Sequence, residues 1–199
     1  MSSVRRETLK KGLILALVLA IIAGGSLWAE QPKAPEPLMG PGDLALSVGL
    51  GYGFFWGAID VSGGAEFILG KFVIADFLPL TYGAAVKASY YSWNGGFGSD
   101  YVDTYLGGGA FATLHLGFKD LDLPSGFYYL NNVDTYIGLG AGFFSYTWGY
   151  PSSRTTEFRI GLRTTGGASY FFTPNFALTA EYGYYGYYNT GLIGILFKL

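Results

Sequence analysis

The stretch from Asp43 to Trp56, DLALSVGLGYGFFW, alternates with a period of two. Leu44, Leu46, Val48, Leu50, Tyr52, Phe54 and Trp56 fall on one side. Ala45, Ser47, Gly49, Gly51, Gly53 and Phe55 fall on the other. Successive side chains of a strand point to opposite faces, so this period predicts a β-strand rather than a helix. The second face is unusual because it is so small. A soluble strand sets large apolar groups toward a core and charges toward water. A strand with bulky apolar groups toward lipid and tiny groups toward a narrow lumen reads as this one does.

The alternation recurs along the chain. It predicts further strands over Ala58 to Leu69, Pro79 to Trp93, Tyr101 to Gly117 and Val133 to Trp148. Three more follow over Thr156 to Phe172, Phe176 to Tyr188 and Thr190 to Leu199. The connectors are residues 70–78, 94–100, 118–132, 149–155 and the Thr173-Pro174-Asn175 turn, all but the first rich in turn-forming residues. The total is eight, the even number that a closed antiparallel membrane barrel needs. Closure matters because an open sheet edge in lipid leaves backbone N–H and C=O groups unpaired. The phase of each strand follows from its bulky apolar residues. All eleven ionisable residues of strands two to eight, His115 included, then fall on the inner face. Aromatics gather toward strand ends, with Phe67, Tyr82, Tyr170, Phe176 and Phe197 toward one rim, as interfacial girdles require.

Composition agrees. Charged residues make up 13 % of the 199, aromatics 19 %, and 32 are glycine. A chain so poor in charge and rich in aromatics is solvated by lipid as well as water. Cysteine is absent, which excludes disulfides, thiolate metal sites and a thioether lipid anchor. The formal net charge is −2, which gives no footprint for nucleic acid. No metal and no cofactor is expected, since one histidine among carboxylates is a poor metal site.

The N-terminus predicts export. Arg5, Arg6, Lys10 and Lys11 form a basic region before the apolar run Leu13 to Ala23, which is followed by small residues. That is the pattern of a cleavable signal peptide over residues 1–29, with cleavage after Ala29 or, as a fallback, after Gly25. Residues 30–42, EQPKAPEPLMGPG, hold four prolines and read as an extended periplasmic leader without structure of its own. The barrel then occupies residues 43–199.

These pieces resemble the small eight-stranded outer-membrane barrels, the group that includes the OmpA transmembrane domain and OmpX. The resemblance covers Asp43 to Leu199. It is carried by DLALSVGLGYGF, by the hairpin YFFTPNFALTAEYGYY and by the last strand GLIGILFKL. It implies insertion into the bacterial outer membrane among its lipids. It also implies an assembly signal at Phe197 and Leu199 for the barrel-assembly machinery, although Leu199 stands where the group usually has Phe or Trp. A monomer is expected. The fold serves many activities, so it does not fix one.

Four ionisable residues are expected near mid-depth in the lumen: Glu66, Lys87, Arg163 and Glu181. Arg163 is expected diagonally from Glu181 across the sixth and seventh strands. An eight-stranded lumen is just wide enough for side chains to fill, and buried charges there must pair. His115 is expected opposite Asp134 near the periplasmic rim, with Ser169 beside Asp134. A Ser-His-Asp reading fails on this layout, because the aspartate's strand separates histidine from serine. No catalytic residue is therefore assigned. The leading reading is a structural or membrane-stabilising barrel with a plugged lumen. The alternatives are a narrow passage for small solutes or lipophiles and, last, a lipid-modifying enzyme.

Overall fold

A computed structural model describes residues 36–74, 78–95, 100–117, 119, 123–184 and 189–199. Among these, eight strands form a closed antiparallel barrel in which each strand pairs with the next and the last returns to the first. They are β1 Leu44–Gly51, β2 Ile59–Ile74, β3 Leu78–Asn94, β4 Val102–Gly117, β5 Val133–Gly149, β6 Thr155–Thr173, β7 Phe176–Tyr184 and β8 Asn189–Lys198. The closing seam runs from Ala45↔Lys198 to Gly51↔Leu192. The signal peptide region and residues 30–35 lie outside the described residues.

The outer surface is apolar. Val48, Val86, Ile137, Leu139, Ile160, Leu162 and Ile193 are all exposed on it. Tyr170, Phe172, Phe176 and Phe197 form a continuous run of ring contacts at the end that carries the chain termini, with centroids 5.1 to 6.0 Å apart. Apolar groups facing out and charges facing in are the inverse of a soluble barrel, and match a wall bathed in hydrocarbon.

Three segments depart from the sequence expectation. First, β1 stops at Gly51, and Tyr52–Trp56 form a 3-10 turn. The Asp60 carboxylate accepts the Gly53 N–H, and Gly57, at φ 79°, closes the turn in the left-handed region that glycine allows. Second, the expected connector 70–78 is mostly strand. A bulge between Ile68 and Gly70 shifts the register, and β2 then continues to Ile74 against β3. Third, the last residues of the leader are packed. Leu38 and Met39 are buried against Ala45, Ile68, Phe171, Ala177 and Leu196, with Met39 only 1 % exposed. Lys198 Nζ donates to Leu38 O at 2.8 Å and pairs with Asp43 at 3.0 Å. The proline pattern marks an extended chain, but it does not reveal the apolar Leu38-Met39 pair as an anchor.

The long connector between β4 and β5 is not packed under the barrel where it is described. Of its residues, Ser125–Asn132 form a 3-10 segment with no buried side chain, and Phe127, Tyr128, Tyr129 and Leu130 are exposed.

Candidate functional site: the closed lumen

The inward side chains stack in three layers along the barrel. Nearest the termini is the apolar floor just described. A polar layer lies above it. An aromatic layer follows toward the β5–β6 loop, built from Ala85, Tyr105, Phe111 and Phe144 with Tyr91 and Tyr146 against it. The order follows from register: His115 pairs with Thr81, and Tyr105, ten residues further along the same two strands, pairs with Tyr91.

The polar layer is two linked clusters. In one, Lys87 of β3 reaches Glu181 of β7, with Nζ 2.5 Å from Oε2. Lys87 Nζ also donates to Tyr136 Oη at 2.7 Å, Tyr136 donates to Glu181, and Thr165 Oγ1 donates to Glu181 Oε1 at 3.1 Å. In the other, His115 of β4 stands between two carboxylates. Nδ1 is 2.7 Å from Asp134 Oδ2 and Nε2 is 2.8 Å from Glu66 Oε1. Ionised carboxylates only accept, so with both acids charged the ring would donate from both nitrogens. The His115 ring stacks on Tyr136 at 5.3 Å, and Lys87 Nζ sits over the same Tyr136 ring at 4.6 Å. Tyr136 therefore joins the two.

Small residues make room for this. A Cβ on Gly64 would come within 2.9 Å of the Lys87 stem, and one on Gly49 within 2.6 Å of Leu192. The small face of β1 thus does two jobs. Ala45 and Ser47 border the polar layer, while Gly49, Gly51 and Gly53 admit Leu192, Asp60 and Tyr91. The three glycines therefore face Leu192, Asp60 and Tyr91, and not the mid-lumen Glu66, Arg163 or Glu181.

Each sequence-assigned residue can be placed. Glu66, Lys87, Arg163 and Glu181 all point inward; Glu66 and Arg163 are buried, and Lys87 and Glu181 nearly so. Glu66, however, belongs with His115 and Asp134, so the expected lumen set and rim pair are one network. Asp134 is diagonal to His115, because register sets it opposite Gly117 and sets His115 opposite Tyr136. Ser169 lies opposite Asp134, as expected, and donates to Thr179 Oγ1 at 3.0 Å. Arg163 does not meet Glu181. Register sets Glu181 opposite Gly167, four residues from Arg163, and Lys87 takes the carboxylate from across the lumen. Arg163 instead lies against Phe144, 5.0 Å from its ring centroid. Phe197 and Leu199 face outward, and the Leu199 N–H closes the seam on Leu44 O. Sequence reasoning missed Tyr136 and Thr165 as partners of the charges. Their inward phase was readable, but reach across a lumen is not a property of one strand.

A cavity of about 20 Å3 remains among Ala45, Ser47, Glu66, Lys87, Asp134 and Glu181, room for about one water.

A closed eight-stranded ring with an apolar wall and a polar interior defines an integral outer-membrane β-barrel protein. Among solved structures the chain is similar to Ail, the attachment invasion locus protein of Yersinia pestis. The match has 13 % identity over 80 % of this chain and 99 % of Ail, with a TM-score of 0.51. It is also matched with the N-terminal β-barrel domain of Pseudomonas aeruginosa OprF, at 15 % identity over 80 % of this chain and 99 % of that one, with a TM-score of 0.46. The likeness is one of fold. No protein-family model and no curated protein matches the sequence.

Proposed function

We propose that this is a structural, membrane-stabilising barrel that neither conducts nor catalyses. The observation that carries this reading is the stack of layers filling the lumen. The Lys87–Glu181 and Glu66–His115–Asp134 contacts cross the lumen from strand to strand, between an apolar floor and an aromatic layer. A hydrated path would need these groups turned toward water, whereas each of them bonds another, with Asp134 Oδ1 alone among them left buried without a partner. Hydrolytic chemistry is also disfavoured. Both ring nitrogens of His115 face carboxylates, and Ser169 donates to Thr179, so no imidazole nitrogen is open to a serine proton.

The partners follow from the surface. The apolar wall takes outer-membrane lipid, and Phe197 and Leu199 present the aromatic and apolar side chains that the barrel-assembly machinery reads. The protein acts as a monomer, with both termini in the periplasm behind a cleaved signal peptide. Planar-bilayer recording of the purified barrel tests the closed lumen. Silence is expected from the wild type, and a steady single-channel conductance would establish the narrow-passage reading in its place.

A further inference from the structure

Arg163 is a buried, charged lumen residue that the polar network does not use. It is 3 % exposed, and its Nε has no hydrogen-bond partner among the described residues. No carboxylate of the described residues lies within ion-pair distance of it, and the contact it does make is with the face of Phe144. A guanidinium stays charged in a protein, and a buried charge without a counter-charge is unfavourable by several kcal/mol, on the order of what a single aromatic face cannot offset. Two acids of its own and the adjacent strand are engaged elsewhere: Glu181 of β7 is held by Lys87, Tyr136 and Thr165, and Glu157 of β6 by Arg159.

Space lies beside it. Gly161 is two residues along β6 on the same inward face, and a Cβ added there would meet nothing within 4 Å among the described residues. Other inward glycines are crowded: a Cβ on Gly138 would meet Thr165, and one on Gly142 would meet Gly108. The open position in this neighbourhood is therefore next to the cation whose charge is uncompensated.

We propose that Arg163 and the niche at Gly161 bind an oxyanion group, a phosphate or a carboxylate. The guanidinium fork matches the two oxygens of such a group, and Phe144 holds the fork in plane from one side. The source is either a free anion or the headgroup of an amphiphile. The site does not depend on whether the lumen conducts, since it lies outside the Lys87 and His115 clusters.

The test uses the full barrel in a non-ionic detergent, titrated with inorganic phosphate, octyl phosphate and octanoate, with the heat-unfolding midpoint as readout. A saturable rise is expected in the wild type. Arg163→Met should abolish it. Gly161→Val fills the niche, keeps the arginine and suits a strand, so it should fold as the wild type does and weaken binding about tenfold or more. Octyl phosphate binding well above inorganic phosphate assigns a lipid headgroup; equal binding assigns a free anion. A wild type that none of the three stabilises saturably overturns the site, as does Gly161→Val responding like the wild type while folded.

Discussion

Lys87 Nζ stands 2.5 Å from Glu181 Oε2, a contact that joins β3 to β7 through the lumen although 94 residues separate the two in sequence. It is a tie between opposite walls and not between neighbours. Its energetic role follows from burial. Two charges held away from water are a weak source of net stability when both are present, yet removing one leaves the other stranded.

Lys87→Met is therefore expected to lower barrel stability by about 3 to 5 kcal/mol, because Glu181 keeps its charge in a buried site. The double variant Lys87→Met/Glu181→Leu should recover most of that loss. Urea unfolding in detergent, followed by the shift between folded and unfolded bands on a gel, measures both.

His115→Ala should be of similar severity. It takes the ring from between Glu66 and Asp134 and leaves two buried carboxyl groups facing a void. Adding Glu66→Gln to His115→Ala removes one of those charges and is expected to restore part of the lost stability. If the double variant were as unstable as the single one, charge repulsion would not be the cause.

The two faces of β1 give an internal control. Val48 is 56 % exposed to the lipid side, and its neighbour Ser47 lines the lumen beside Lys87 and Glu181. Val48→Lys is expected to cost about 2 to 4 kcal/mol if the residue sits near the bilayer midplane. Ser47→Asp places its charge within reach of Lys87 and should be tolerated better. The fraction of chain recovered as heat-modifiable barrel in membranes reads the difference.

Met39→Ala is expected to destabilise the floor by about 2 to 5 kcal/mol, the range for truncating a buried methionine. A change of this size at a residue of the leader would confirm that the segment is folded. Protease resistance of residues 36–42 in the intact barrel provides a second measurement, and Met39→Asp should abolish it.

The wall of this barrel was legible in sequence, and its interior was legible only in part. Alternation assigns Val48 to lipid and Lys87 to the lumen because a strand has just two faces. It also counts strands. It fails at Tyr52–Trp56, where alternation continues on paper while Gly57 and the Asp60 carboxylate turn the backbone. It fails again at Gly70, where one extra residue at the bulge resets the phase. Inside, each strand tells which residues point inward but not how far around the ring they reach. Arg163 and Glu181 lie on adjacent strands, which made them look like partners. Register sets Glu181 opposite Gly167, and the long Lys87 side chain meets it from the opposite wall.

The floor has a further consequence for the order of events. Met39 precedes every strand, yet the surface it rests on comes from both ends of the sheet: Ala45 and Ile68 from the first two strands, and Phe171, Ala177 and Leu196 from the last three. That surface exists only after the ring has closed at β1 and β8. The residues nearest the start of the barrel thus complete their contacts only with the ring closed, and their docked state reports a finished cylinder.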